Sequence, residues 1–94
     1  MELLMPIFKY VIPTTDEFQI RMSKGATVLT VDVQNGLPCI WALVDKNAEQ
    51  EYRSFRLLGT GFPSDDVSGD QYVGTVLLHG GALVLHLFDV RKPD

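Results

Sequence analysis

The chain holds one cysteine, two histidines, a deficit of cations and no long apolar run. Each scarcity removes a class of protein. A single cysteine, Cys39, excludes an intramolecular disulfide framework and any zinc site built from several cysteines. Lying free within an apolar segment, it fits a reducing compartment. No apolar run approaches the roughly 20 residues needed to cross a bilayer as a helix. The opening Met1-Glu2-Leu3-Leu4-Met5-Pro6 lacks a basic start, and Pro6 and Lys9 interrupt it, so it does not read as a signal peptide. A cytoplasmic protein is expected. Eight Lys and Arg against twelve Asp and Glu give a net charge of -4. That surplus favours solubility and argues against broad, charge-driven binding to nucleic acid or membrane. Internal repeats and low-complexity tracts are also absent.

What is present is one ordinary domain. Ninety-four residues leave no room for a catalytic domain beside a binding domain. At 46% hydrophobic and 21% charged, the composition is globular rather than disordered. A chain this short buries about two thirds of its unfolded surface, so its core is thin. The expectation is a single β domain over 7–89, with short terminal extensions at 1–6 and 90–94.

Period two dominates, and period 3.6 is hard to find. Strands are expected over Ile7 to Ile12, Asp16 to Met22, Thr27 to Gln34, Leu37 to Asp45, Glu51 to Leu58, Tyr72 to Leu78 and Ala82 to Asp89. Thr27 to Gln34 is the clearest: Leu29, Val31 and Val33 point one way, and Thr30, Asp32 and Gln34 the other. Asn35-Gly36 then signals a type I′ hairpin, whose two central residues need positive φ. Pro38 cannot donate to a ladder, so it belongs at a strand start or on an unpaired side. Gly74, inside a strand, suggests a bulge or a close backbone approach. Ser64 to Asp70 reads as an exposed, mobile loop, and the tail from Val90 to Asp94 is expected to fray. The sum is an all-β, small antiparallel barrel or sandwich of about seven short strands.

Two strands are apolar on both faces. In Leu37 to Val44, Leu37, Cys39, Trp41 and Leu43 share one face, and Ile40, Ala42 and Val44 the other. In Ala82 to Phe88, Val84, His86 and Phe88 oppose Leu83, Leu85 and Leu87. One core covers one face of a sheet, so the other face calls for a packed segment or another subunit. A symmetric homodimer is the simplest cover.

Several residues could carry binding chemistry. In His79-Gly80-Gly81, two glycines let backbone amides approach an anion. The same letters occur near lipase oxyanion holes, but no G-x-S-x-G elbow accompanies them, so a tight turn is the plainer reading. Gly59-Thr60-Gly61 is a second permissive loop, without the third glycine or GK[ST] ending of nucleotide fingerprints. Arg53 and Arg56 lie on opposite faces of one strand, free to pair with Glu51, Asp32 or another carboxylate, or to grip a phosphate or carboxylate. Trp41 is a core or interface anchor first and a stacking platform second. His79, His86 and Cys39 have no spacing that favours a metal, and no cofactor or catalytic residue is assigned.

The segments Lys24-Gly25-Ala26, Val33-Gln34-Asn35-Gly36, Pro38-Cys39 and Trp41-Ala42-Leu43-Val44-Asp45 resemble a small β-domain family of tailed bacteriophages and prophages. Phe55-Arg56, Gly59-Thr60-Gly61, Pro63 and Tyr72 with Gly74-Thr75 fit the same pattern. The most specific part is Leu78-His79-Gly80-Gly81-Ala82-Leu83-Val84 with His86 and Phe88. The resemblance covers about residues 7–88. It implies a phage accessory protein acting in the host cytoplasm, during infection or from a prophage, and brings no activity or site residue with it.

Two functional expectations follow. In the first, a non-enzymatic homo-oligomer captures a small anionic, nucleotide-like ligand to counter host defence. The glycine loops, Arg53 or Arg56 and His79 would meet its charge, and Trp41 or a tyrosine would stack on a base. In the second, the chain is a protein-interaction module that binds and inhibits a host protein and takes no small ligand.

Overall fold

The computed structural model describes residues 5–90. The expected frayed residues 91–94 and most of the leading extension, 1–4, lie outside the described residues. Seven strands form in the expected order: β1 (Ile7–Val11), β2 (Glu17–Ser23), β3 (Thr27–Gln34), β4 (Leu37–Leu43), β5 (Gln50–Gly59), β6 (Tyr72–Leu78) and β7 (Leu83–Asp89). They pair into two antiparallel sheets, β1-β4-β3 and β2-β5-β7-β6. The fold is therefore a two-layer sandwich rather than one closed ladder.

Local chemistry sets the turns. Asn35 (φ 53°) and Gly36 (φ 78°) both take the left-handed conformation that a type I′ turn requires. They join β3 to β4 in register, Gln34 opposite Leu37. Pro38 is the second residue of β4, and its carbonyl accepts from the Ile12 amide at 3.0 Å. Its missing N–H costs the ladder one bond at the end of β1. The loop after β5 is exposed apart from half-buried Val67 and Gln71, and it ends in a single 3₁₀ turn, Gly69–Gln71. Ser68 caps that turn through a capping box with Gln71.

The facing sides of the sheets make the core. Ile40, Ala42 and Val44 contribute from β4 and the residue after it, Phe55 and Leu57 from β5, Val76 from β6, and Leu85 and Leu87 from β7. Phe18 stacks on Phe55, ring centroids 5.3 Å apart. One expectation fails at β3. The register shifts between Val28 and Thr30, so Leu29 becomes the bulge residue and is exposed, while Val28 packs against the core. A bulge inserts one residue and resets the alternation, which strict period two cannot foresee. The expected fray at Val90 also fails, because its amide donates to the Ser54 carbonyl at 2.9 Å.

The edges of the two sheets meet on one side, where β3 lies alongside β6. Gly74 is the point of closest approach. A Cβ built there would fall 2.9 Å from Val31 Cγ1. The β6 register also shifts between Tyr72 and Gly74, with Val73 as the bulge residue, so the glycine makes the close contact directly after a bulge.

Arg53 and Asp89 occupy the core side of β5 and β7. Arg53 is 4% exposed. Its Nε donates to Asp89 Oδ1 at 3.0 Å and its Nη2 to Asp89 Oδ2 at 2.9 Å, a bidentate pair. Nη2 also donates to the Ala26 carbonyl at 2.8 Å, and Glu51 stands 3.9 Å from Nη1. Removing one member leaves the other charge buried and unpaired. Asp89→Ala should therefore lower stability by about 3–5 kcal/mol in urea unfolding, whereas the apolar double replacement Arg53→Met with Asp89→Leu should cost far less. Gly74→Ala should destabilise by about 1–3 kcal/mol through overpacking. Val31→Ala should recover most of that loss in a double-mutant cycle.

Candidate functional site

The expected site residues are distributed over three regions. Arg53 lies inside, engaged by Asp89 and Ala26. Trp41 lies half-buried on the outer face of the three-stranded sheet, between Lys9 of β1 and Thr30 of β3. The two glycine loops and Arg56 belong to the four-stranded sheet. Nothing brings Trp41 to the glycine loops, because the core stands between the two outer faces.

The glycine loops lie toward the same end of β7. Gly59 is opposite Leu85, and the Thr60 amide donates to the Val84 carbonyl at 3.4 Å. His79-Gly80-Gly81 is the turn that returns the chain from Leu78 to its partner Leu83. His79 (φ 53°), Gly80 (φ 67°) and Gly81 (φ 93°) all take left-handed conformations. The turn spends the Ala82 amide on the His79 carbonyl at 3.2 Å. The other loop spends the Phe62 amide on the Gly59 carbonyl at 3.1 Å. A cleft of about 460 Å³ runs between Gly59-Thr60-Phe62 and Ala82-Leu83-Val84. His79, Gly80 and Gly81 do not line it.

Arg56 projects from the outer face of β5. Its Nη1 sits 2.8 Å from Asp66 in the long loop and 3.5 Å from Glu17 of β2. Its Nε is buried with no hydrogen-bond partner. The three groups border a cleft of about 490 Å³. An incoming anion would have to compete with two carboxylates for one guanidinium.

Sequence reasoning passed over a polar group that links three segments on the outer face of this sheet. His86 is half-buried on the outer face of β7. Its Nε2 is 2.7 Å from Thr60 Oγ1, and its Nδ1 is 2.8 Å from Thr75 Oγ1. Thr75 in turn meets the Tyr72 hydroxyl at 2.5 Å. The Tyr72 ring makes an edge contact with Phe88, centroids 5.7 Å apart. The signal needed was strand pairing: Thr75 pairs with His86 across one ladder, so both side chains share a face. A neutral imidazole donates from one nitrogen and accepts at the other. Here each ring nitrogen meets a hydroxyl, which fixes the ring and ties Thr60 to β6 and β7. Among the described residues no group of three His, Cys, Asp or Glu is placed to hold a metal ion. No helix among them is long and apolar enough to cross a membrane.

These observations define a small all-β sandwich with clefts on its surface, an outer hydroxyl–imidazole relay and a buried ion pair. The chain belongs to the DUF7352 family, a domain of unknown function, whose pattern it matches over residues 5–94. No curated protein and no solved structure matches it.

His86→Phe keeps a ring at the site and removes both hydrogen bonds. It should cost about 1–2 kcal/mol of stability. Amide hydrogen exchange should rise over residues 59–62, where the Thr60 anchor is lost.

Proposed function

We propose that this protein is a non-enzymatic accessory protein of a tailed phage or prophage, docking on another protein in the host cytoplasm. The docking surface is the outer face of the three-stranded sheet. The phage context comes from the Val33-Gln34-Asn35-Gly36 and Leu78-His79-Gly80-Gly81 strings and those around them.

One observation carries the docking reading. Ile7, Val11 and Leu37 are 58%, 54% and 53% exposed around half-buried Trp41 and Leu43. The register places them on one face, Ile7 opposite Leu43 and Val11 opposite Cys39, with Lys9 between Ile7 and Val11. Exposed apolar residues gathered on one face mark a partner site, and tryptophan is a common interface anchor. Thr30, Asp32 and Gln34 along β3 supply a polar border, the usual surround of such a patch.

Capture of a small anionic, nucleotide-like ligand is the second reading. It rests on the unpaired Arg56 Nε beside its cleft. Against it stand Asp66 and Glu17 on the same guanidinium, and the engagement of Arg53 by Asp89.

The two readings separate in one pair of measurements. Docking expects the wild-type chain to retain one stoichiometric partner from host lysate. Leu37→Glu should abolish that retention, and Arg56→Ala should leave it unchanged. Isothermal titration with a nucleotide panel should give no heat. Heat that Arg56→Ala removes would establish anion capture instead.

A further inference from the structure

The edge strands of the two sheets are unequally protected. β3 and β6 lie side by side and shield one another. β2 carries Glu17 and Arg21, charges that discourage strand addition. β1 has neither protection. All its residues are exposed except half-buried Tyr10, and Lys9 is its single charge.

The register states which backbone groups β1 leaves open. The Val44 amide donates to the Pro6 carbonyl, and the Ile12 amide to the Pro38 carbonyl, both at 3.0 Å. Antiparallel ladders alternate between bonded and non-bonded pairs. Phe8 and Tyr10, in step with Pro6 and Ile12, therefore also direct their backbone groups at β4. The N–H and C=O groups of Ile7, Lys9 and Val11 point away from the sheet. Among the described residues, β4 is the only strand that pairs with β1.

We propose that this edge pairs antiparallel with β1 of a second copy of the chain, about a twofold axis at Lys9. The strand is self-complementary in that register. Ile7 meets Val11 of the other copy on the outer face, an apolar β-branched pair. Phe8 meets Tyr10 of the other copy at a non-bonded position, where side chains approach most closely. Phe8 is 41% exposed in the single chain and gains cover. Lys9 meets its own counterpart, and like charges directly opposite are costly. The structure turns that charge away: Lys9 Nζ donates to Gln34 Oε1 on β3, across β4 from the open edge, at 2.7 Å. Centring on Lys9 is also the register that uses all three open residues, and Pro6 and Pro13 bound the strand on either side. The two three-stranded sheets then become one continuous sheet. This goes beyond the docking reading, which uses the face and not the edge.

Sedimentation velocity of the intact protein over a concentration series tests the proposal. The expected species is a dimer of the 10.5 kDa chain. Lys9→Pro deletes an N–H that points off the sheet and spares the β1–β4 bonds. It should raise the dimer dissociation constant at least about tenfold while the circular dichroism spectrum is kept. A second variant, Phe8→Cys with Tyr10→Cys, keeps the test open should Lys9→Pro not fold. On oxidation it should yield a covalent dimer on a non-reducing gel. A monomer throughout, with no cross-link, overturns the proposal. So does a dimer that Lys9→Pro leaves intact and the cysteines fail to link, which assigns the contact to another surface. Loss of the lysate partner with Leu37→Glu while the dimer persists tells against neither proposal, because the edge and the face are tested by different residues.

Discussion

The buried guanidinium of Arg53 is the constraint around which the sandwich is arranged. It stands on β5 and takes Asp89 from β7 in a two-pronged grip. It also holds the carbonyl of Ala26, in the turn between β2 and β3. One cation thus fixes two strands of one sheet to the crossover that leads into the other. Met22 Sδ, at 4.0 Å, lies against its third nitrogen. A charge so enclosed tolerates little displacement, since each shift uncovers desolvated polar atoms. Sliding β7 along β5 would break the grip and invert the alternation of Leu85 and Leu87. The aliphatic core supplies the driving force, and the ion pair selects one register for it.

Where β3 runs alongside β6, the two sheets close on a tight fit. The absence of a side chain at Gly74 lets Val31 sit against β6. Bulges fall near both members of this contact, between Val28 and Thr30 and between Tyr72 and Gly74. Bulges bend strands and increase twist, which carries β3 and β6 toward each other. The result is a sandwich closed along one side and open along the other, where β1 and β2 end their sheets.

Strand positions were legible because alternation and turn chemistry agree along most of the chain. Thr27–Gln34 and Tyr72–Leu78 fall where the pattern places them, and Asn35-Gly36 makes its hairpin. Gly74 stood out as a bulge or a close approach; it is the close approach, and it directly follows the bulge residue Val73. Leu29 was misplaced because a bulge leaves no mark in a β-branched run. The candidate site was legible only in part. Opposite faces for Arg53 and Arg56 followed from odd spacing, but which carboxylate each would meet depends on strand order. Asp89 and Asp66 lie 36 and 10 positions from their arginines by chain numbering. The role of His86 was hidden for the same reason: its partners Thr60 and Thr75 come from two other segments.

The Lys9–Gln34 bridge has a further consequence for Cys39. Lys9 is opposite Trp41, and Gln34 is opposite Leu37, so the bridge crosses β4 above the residue between them. Cys39 is 1% exposed although its side chain belongs to the outer face. Its Sγ donates to the Leu37 carbonyl at 3.5 Å, and Val11 and Asp32 flank it on the neighbouring strands. A thiol buried on that side reports on the outer surface of the three-stranded sheet rather than on the core between the sheets.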